Sequence, residues 1–170
     1  DKRCVHPEVC PVLKVDHSAQ IDLLRRVREL PGVKKVFVAS GLRYDMILAD
    51  TKSGNPYLRD LVRHHVSGQL KVAPEHTEMR VLSAMGKPGP SSLLEFKQRF
   101  DTLSRQAGKW QYLTYYMIAA HPGCTVQDMV KLKQFCTENL HLNPEQVQIF
   151  TPTPSTYATL MYYTGLDPWT

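Results

Sequence analysis

Apolar residues recur at helical spacing in several stretches of the chain, and short apolar runs lie between these stretches. A helix is predicted from Ser18 to Leu30, since Ile21, Leu24 and Val27 share one face. Pro31-Gly32 ends it, because proline has no N–H to continue the helical hydrogen bonds. The same pattern predicts further helices over residues 55–67, 77–85, 92–107 and 125–139.

Four short apolar segments rich in Val, Ile, Tyr and Phe are predicted as strands: 36–39, 70–73, 112–120 and 147–150. Single helices separate them, which is typical of parallel βαβ units. The sequence therefore predicts an α/β fold with about four parallel strands. Four strands cannot close an eight-stranded barrel, so the alternatives are a small doubly wound sheet or part of a (β/α) barrel. One domain is expected over 1–170, with an irregular lead-in over 1–16 and βα units over 17–170.

Composition places the chain among ordinary globular proteins. Of its 170 residues, 42% are hydrophobic and 22% charged, and no apolar run approaches the ~20 residues of a membrane-spanning helix. The sequence starts DKRCVHPEVC, without an initiator Met or a signal peptide, so we expect a piece of a longer protein. Four cysteines are too few for a disulfide scaffold, and reduced cysteines in a cytoplasmic protein are expected.

Positive charge exceeds negative charge, with 21 Lys and Arg against 16 Asp and Glu. The longest basic runs are only pairs, Arg25-Arg26 and Lys34-Lys35. A basic module for nucleic acid needs a basic stripe with interleaved aromatic residues. The aromatic residues concentrate in the predicted strands and at Tyr162-Tyr163, so a solvated surface of mixed charge is favoured and nucleic-acid binding is not expected.

Polar or titratable side chains follow every predicted strand. Because the carboxyl ends of parallel strands meet at one edge of a sheet, these residues are predicted to surround a common mouth. The predicted site consists of Ser40, Arg43, Glu75, His76, His121, Pro122, Gly123 and Thr151. An α/β enzyme using Glu75, His76 and His121 as an acid/base site is one function that this pattern permits.

The cysteines permit two further hypotheses. Cys4 and Cys10, with His6 and His17, carry metal-binding groups, but C-x-H-x3-C-x6-H does not match the paired spacing of common zinc modules. Cys124 follows a strand at a predicted helix start, where the helix dipole favours a nucleophilic thiolate. No basic partner for Cys124 can be placed from the sequence.

The strand-end motifs resemble the YgiQ-type (UPF0313) radical-SAM family over essentially the whole chain. The resemblance lies in Asp16-His17, VRELPGVKKVFVASGLRYD (27–45), HHVSGQLKVAPEHTE (64–78), MGKPG (85–89), GKWQYLTYYMIAAHPG (108–123) and QVQIFTPTPSTYATLMYYTGLDP (146–168). The C-x5-C of Cys4 and Cys10 also resembles the family.

The resemblance implies the later strands of a (β/α)6-type barrel whose mouth holds a [4Fe–4S] cluster and S-adenosylmethionine (SAM). The intact parent would cleave SAM reductively to a 5′-deoxyadenosyl radical that attacks an unassigned substrate. The turn at 121–123 is similar to a turn in related enzymes that lies near the adenine of SAM. The turn at 74–76 is similar to one that lies near the ribose and the methionyl group of SAM. Arg43 and Glu75 are implied as polar SAM contacts.

The family's cluster motif, C-x-x-x-C-x-x-C, is absent from this sequence. The chain is therefore expected to be the carboxyl-terminal part of a radical-SAM domain, inactive alone and without bound cofactor. Its expected partner is the missing amino-terminal part of the same domain. Self-association through an exposed sheet edge at Val36–Ala39 is a further expectation.

Overall fold

The computed structural model describes residues 4–144 and 147–168. Its helices are α1 (Ser18–Arg28), α2 (Tyr44–Ala49), α3 (Gly54–Asp60), α4 (Met79–Met85), α5 (Pro90–Gln106), α6 (Val126–Phe135) and α7 (Tyr157–Thr164). α3 continues into a π-helical turn over Leu61–His65, and α6 into another over Cys136–Leu140. The strands are β1 (Gln69–Glu75), β2 (Tyr112–Ala119) and β3 (Val147–Ile149). None of the helices that the described residues form is long and apolar enough to cross a membrane.

The chain divides into two compact units. The helical unit comprises Val9–Ala73 and Ser91–Thr114, and the strand-end unit comprises Asp1–Glu8, Pro74–Pro90 and Tyr115–Thr170. Both β1 and β2 begin in the helical unit and end in the strand-end unit, so their carboxyl ends belong to the latter. The single barrel domain predicted over 1–170 stays a prediction.

The α/β class and the parallel arrangement are confirmed, but the number of strands is lower than predicted. The sheet is open and has three strands in the order β1-β2-β3. β3 runs parallel to β2, with Met117 opposite Val147 and Ala119 opposite Ile149.

The predicted strand at 36–39 is wrong. The Val38 N–H donates to the His65 carbonyl at 2.9 Å, and only Leu42 forms a bridge, with Val72 of β1. Phe37 is 48% exposed, so this apolar segment is also not buried as expected. A strand requires a ladder of backbone partners, and an apolar run alone does not supply one.

The predicted helices exist, with shifted ends. α5 begins at Pro90, where the missing N–H of proline costs nothing in a first helical turn. α6 begins after Thr125, where Thr125 and Asp128 form a capping box. Two short helices, α2 and α7, were not predicted, because neither has a long apolar period.

The core of the helical unit lies between α3, its π-helical turn, α5 and the start of β1. Phe96 and Phe100 of α5 are fully buried, and Tyr44 of α2 packs on Phe96 with ring centroids 5.8 Å apart. Burial of such side chains contributes about 1.5–3 kcal/mol each. The core therefore holds these helices against the first half of the sheet.

Candidate functional site

The carboxyl ends of β1 and β2 both turn through left-handed backbone. Glu75, the last residue of β1, has φ 68°, and Ala120, directly after β2, has φ 58°. This conformation costs a residue other than glycine about 1–2 kcal/mol. Such strain persists where the surroundings enforce it, and it is concentrated at functional sites. A histidine follows each turn, His76 after Glu75 and His121 after Ala120.

His76 is almost fully buried, at 1% exposure. Its Nδ1 accepts a hydrogen bond from the Glu78 N–H at 3.0 Å, which leaves the ring proton on Nε2. Nε2 faces the Cys124 Sγ at 3.7 Å. Burial lowers the pKa of His76, although the nearby carboxylates of Asp128 and Glu78 oppose this shift.

His121 has the opposite tautomer. Its Nδ1–H donates to the Pro122 carbonyl at 3.0 Å, so Nε2 carries the lone pair. The ring meets that of Phe150 edge-on, with centroids 5.2 Å apart. Burial lowers the pKa of His121, while the hydrogen bond to Pro122 and the charge of Glu75 oppose this. Of the two histidines, only His121 therefore has a ring nitrogen free to accept a proton.

Arg80 of α4 fixes the turn that follows β2. Its guanidinium donates to the Gly123 carbonyl and to the Asp128 carboxylate. Asp128 also closes the capping box, and hydrogen bonds from Thr125 lower the pKa of this carboxyl. Glu75 is held in turn by Lys87, whose Nζ lies 2.9 Å from Oε1. These pairs join the loops after β1 and β2 into one polar cluster.

A cavity of about 440 Å³ lies beside this cluster within the strand-end unit. One part of its wall comes from Arg80, Pro122 and Gly123. α7 and the residues after it form the other part, including Tyr162, Leu166 and Asp167. Volumes of this order are ordinary for small-molecule sites. The cavity thus offers a cation, a carboxylate and an aromatic ring.

The predicted site residues are only partly brought together. In the strand-end unit, Glu75, His76, His121, Pro122 and Gly123 form the cluster just described. Thr151 is exposed, and its hydroxyl donates to the Ile149 carbonyl at 3.4 Å.

The two remaining predicted site residues lie in the helical unit. Ser40 is exposed, and Arg43 forms a two-pronged ion pair with Asp45, including Nε to Oδ1 at 2.9 Å. That pairing satisfies the guanidinium locally. The role of Ser40 and Arg43 in a shared mouth stays a prediction.

The metal hypothesis for Cys4 and Cys10 gains no support. Over residues 4–144 and 147–168, no group of three or more His, Cys, Asp or Glu side chains is placed to hold a metal ion. The two imidazoles of that hypothesis have other partners: the His6 Nδ1 contacts the Lys87 carbonyl, and the His17 Nδ1 contacts Asp50. All four cysteines are free thiols.

Cys124, the candidate nucleophile, lies next to His76, but the tautomer of His76 does not suit activation of the thiol. His76 presents an N–H to the sulfur, so it can donate to the thiol but cannot remove its proton. Burial and the charge of Asp128 raise the pKa of Cys124, which favours the neutral thiol. The contact therefore orders the turn and does not activate the cysteine.

Sequence reasoning missed Arg80, Lys87, Tyr162 and Asp167. Arg80 and Lys87 lie on or just after the helix that follows the Glu75 turn, a position from which a basic side chain can reach the strand ends. Tyr162 and Asp167 lie on and after α7, which the pattern did not predict. Only the tertiary structure places Tyr162 and Asp167 beside the cavity.

The chain is similar to much longer proteins. A UPF0313 protein of Fusobacterium nucleatum is 55% identical over 170 residues, which is 100% of this chain and 30% of that protein. A UPF0313 protein of Clostridium perfringens is 49% identical over 169 residues, 99% of this chain and 25% of that protein. One of Methanosarcina acetivorans is 47% identical over 170 residues, 100% of this chain and 22% of that protein. No family model and no solved structure matches the chain.

Proposed function

The chain belongs to the UPF0313 family, of whose members it matches a segment, and we propose that this segment is the carboxyl-terminal part of a radical-SAM domain in a longer iron–sulfur protein. One observation carries the proposal: left-handed turns at Glu75 and Ala120 end two neighbouring parallel strands, and each is followed by a buried histidine. Strained, polar strand ends of this kind favour a ligand site at the sheet edge.

The cavity beside Pro122 and Gly123 has groups that suit SAM. The ring of Tyr162 offers a face for the adenine or for the sulfonium cation. The carboxylate of Asp167 suits the ribose hydroxyls or the ammonium group. In this proposal Glu75, His76 and His121 shape the adjoining rim, and the SAM contacts that the resemblance implies for Ser40, Arg43 and Thr151 stay predictions.

The residues present do not fit the iron–sulfur cluster. Three thiolates are needed to hold a [4Fe–4S] cluster with one open iron. The chain has no C-x-x-x-C-x-x-C, and its described side chains form no group of three metal ligands. The cluster therefore belongs to another part of the longer protein in this proposal. When bound there, cluster and SAM would supply a 5′-deoxyadenosyl radical for hydrogen abstraction from the substrate.

The alternative acid/base enzyme is less well supported. Glu75 is paired with Lys87, and both nitrogens of His76 have partners. His121 retains a basic nitrogen, but the nearby Glu75, whose charge acts on His121, is already paired with Lys87. These contacts favour a positioning role for the Glu75-His76 pair.

The longer protein that contains this segment provides the test. Purified without oxygen, it is expected to contain about four irons and four sulfides per chain and, with a strong reductant, to convert SAM to methionine and 5′-deoxyadenosine. A protein that binds no iron and forms no 5′-deoxyadenosine would overturn the proposal. The 170-residue chain alone, treated with iron and sulfide, is expected to remain without the broad brown absorbance of a cluster.

Substitutions in the longer protein test the individual contacts. Glu75→Gln and Arg43→Ala are expected to weaken SAM binding, measured by equilibrium dialysis, without lowering the unfolding temperature greatly. Glu95→Gln is the matched control, because Glu95 is an exposed residue of α5 that pairs with Arg99. If the SAM affinity of all three variants equals that of the parent, the assigned contacts are wrong.

A further inference from the structure

Residues 147–166 contain no charged side chain. This stretch comprises β3, the loop after it, α7 and the two residues that follow α7, and it lacks Asp, Glu, Lys, Arg and His. In the chain as a whole, 22% of the residues are charged. Charged side chains make up much of the surface that a protein presents to water, so a stretch of this composition is typical of positions that are covered.

The uncharged stretch is almost entirely exposed. The structure describes all of residues 147–166, and Met161 is the only one among them that is buried. On α7, Leu160 and Tyr163 lie one turn apart and Tyr163 is 84% exposed, while Leu166 just beyond the helix is 70% exposed. A helix with apolar residues on most of its sides is normally buried, and exposed apolar patches mark interaction surfaces. We call Leu160, Tyr163 and Leu166 the α7 surface.

Contacts on another side of α7 fix its position. The ring of Tyr162 packs against that of Phe150, with centroids 6.1 Å apart, and Phe150 in turn meets the ring of His121. The Thr156 hydroxyl caps the helix by accepting a hydrogen bond from the Thr159 N–H at 3.2 Å. These contacts attach α7 to the loop after β3 and to the candidate site, so the exposed apolar side chains belong to a helix with a defined place in its unit.

The longer proteins of the family contain additional chain that can cover this surface. The matched segment makes up 30%, 25% and 22% of the three relatives described above, so most of each relative lies outside it. A covering segment of the same polypeptide is tethered at a high effective concentration and avoids the entropic cost of bringing two molecules together. A membrane surface is disfavoured, because helices that bind membranes carry Lys and Arg, whereas the strand-end unit has 6 Lys and Arg against 8 Asp and Glu.

We propose that the α7 surface is an intramolecular docking site, which an apolar segment outside residues 1–170 covers in the longer protein. Apolar side chains of that segment contact Leu160 and Leu166, and a polar group at the rim forms a hydrogen bond with the Tyr163 hydroxyl. The docking site would be present whether or not the longer protein binds SAM, because composition, exposure and chain length alone support it. The sequence pattern did not indicate this surface, since α7 was not predicted.

Photo-crosslinking in the longer protein tests the docking site. A benzophenone amino acid is placed at position 163, where it replaces a tyrosine of similar shape, and mass spectrometry identifies the cross-linked peptides of the purified protein. The expected cross-link joins position 163 to a peptide of the same polypeptide outside residues 1–170. An equal mixture of isotopically light and heavy protein shows whether both peptides come from one chain. Cross-links between two chains, cross-links only to peptides within 1–170, or the absence of any cross-link would overturn the proposal.

Lys133 provides the matched control, because it is an exposed residue of α6 in the same unit. The benzophenone at position 133 is expected to give no cross-link to the segment that position 163 reaches. Accessibility is a second measurement: in the native longer protein, Tyr163→Cys is expected to react with a maleimide at least about tenfold more slowly than Lys133→Cys, and the two rates should become equal in urea. Equal rates in the native protein would overturn the docking site. Protection of Tyr163→Cys that is lost on about hundredfold dilution would assign the surface to a second copy and overturn the intramolecular occupant.

Discussion

Glu75 and Ala120 end neighbouring parallel strands with the same unusual backbone, at φ 68° and φ 58°. In each case the following histidine is buried and makes a hydrogen bond within its own loop. The two turns therefore set opposite tautomers, with the proton on Nε2 of His76 and on Nδ1 of His121. The hydrogen bonds within these two loops determine which ring nitrogen the candidate site can use.

Ala120→Gly is expected to raise the free energy of unfolding by up to about 1 kcal/mol, because glycine adopts the left-handed conformation without strain. Ala119→Gly, one residue earlier in β2, is the control. It should lower the free energy of unfolding by about 0.5–1 kcal/mol, since glycine weakens a strand. Urea denaturation measures both variants. A loss of stability in Ala120→Gly comparable to that in Ala119→Gly would show that the turn stores no strain.

Stability is expected to fall as the pH drops from 7.5 towards 5. Burial lowers the pKa values of His76 and His121 in the folded state, so below about pH 6.5 the unfolded chain binds protons that the folded chain resists. Above that pH both histidines are neutral, and their burial does not lower the free energy of unfolding. Below it, the free energy of unfolding decreases further as the pH falls. The double variant His76→Gln/His121→Gln should show a smaller decrease over this range, measured by urea denaturation at each pH.

Leu132→Ala is the control for the pH series, because it removes a buried side chain of α6 that does not titrate. It should lower stability while keeping the decrease with falling pH. If the His76→Gln/His121→Gln variant follows the same pH dependence as the parent, the two histidines do not carry the effect.

Asp50→Asn is expected to lower the free energy of unfolding by about 2 kcal/mol, because hydrogen bonds to a buried charge are lost. Burial alone would raise the pKa of Asp50, but hydrogen bonds from Ser53 and His17 outweigh it and hold the pKa at about 2. The ionised carboxylate thus stabilises the fold above about pH 4, and this contribution is lost as the pH falls towards 2. Thermal unfolding across pH 2–5 measures it.

Asp22→Asn controls for loss of a carboxylate, since Asp22 is exposed and pairs with the exposed Arg25. Its stability should stay within about 0.5 kcal/mol of the parent. An equally mild effect of Asp50→Asn would contradict the importance assigned to the hydrogen bonds from Ser53 and His17.

Thr125→Ala is expected to destabilise the chain by about 1 kcal/mol, because the capping hydroxyl accepts from the Asp128 N–H and donates to the Asp128 carboxylate. Thr125→Ser retains the hydroxyl and should restore most of the loss. Thermal unfolding of both variants measures the cap. Equal losses in the two variants would mean that packing of the threonine methyl, and not the hydroxyl, stabilises the start of α6.

Local patterns predicted most elements correctly, and the reason is visible at α6 and β2. Thr125 and Asp128 carry a capping signal within four residues, and residues 112–120 form a long run of strand-forming side chains. The segment 36–39 has the same local character but no backbone ladder. Its failure to form a strand depends on partners far away in the sequence, which a local pattern does not contain.

By itself, the sequence determined the α/β class, the polar residues after each strand and the resemblance to UPF0313 proteins, because these depend on residue type and order. Only the tertiary structure decided the tautomers of His76 and His121, the pairing of Glu75 with Lys87, and the contribution of α7 to the cavity. Each of these features depends on a contact between residues that are distant in sequence or on a backbone angle, and folding creates both.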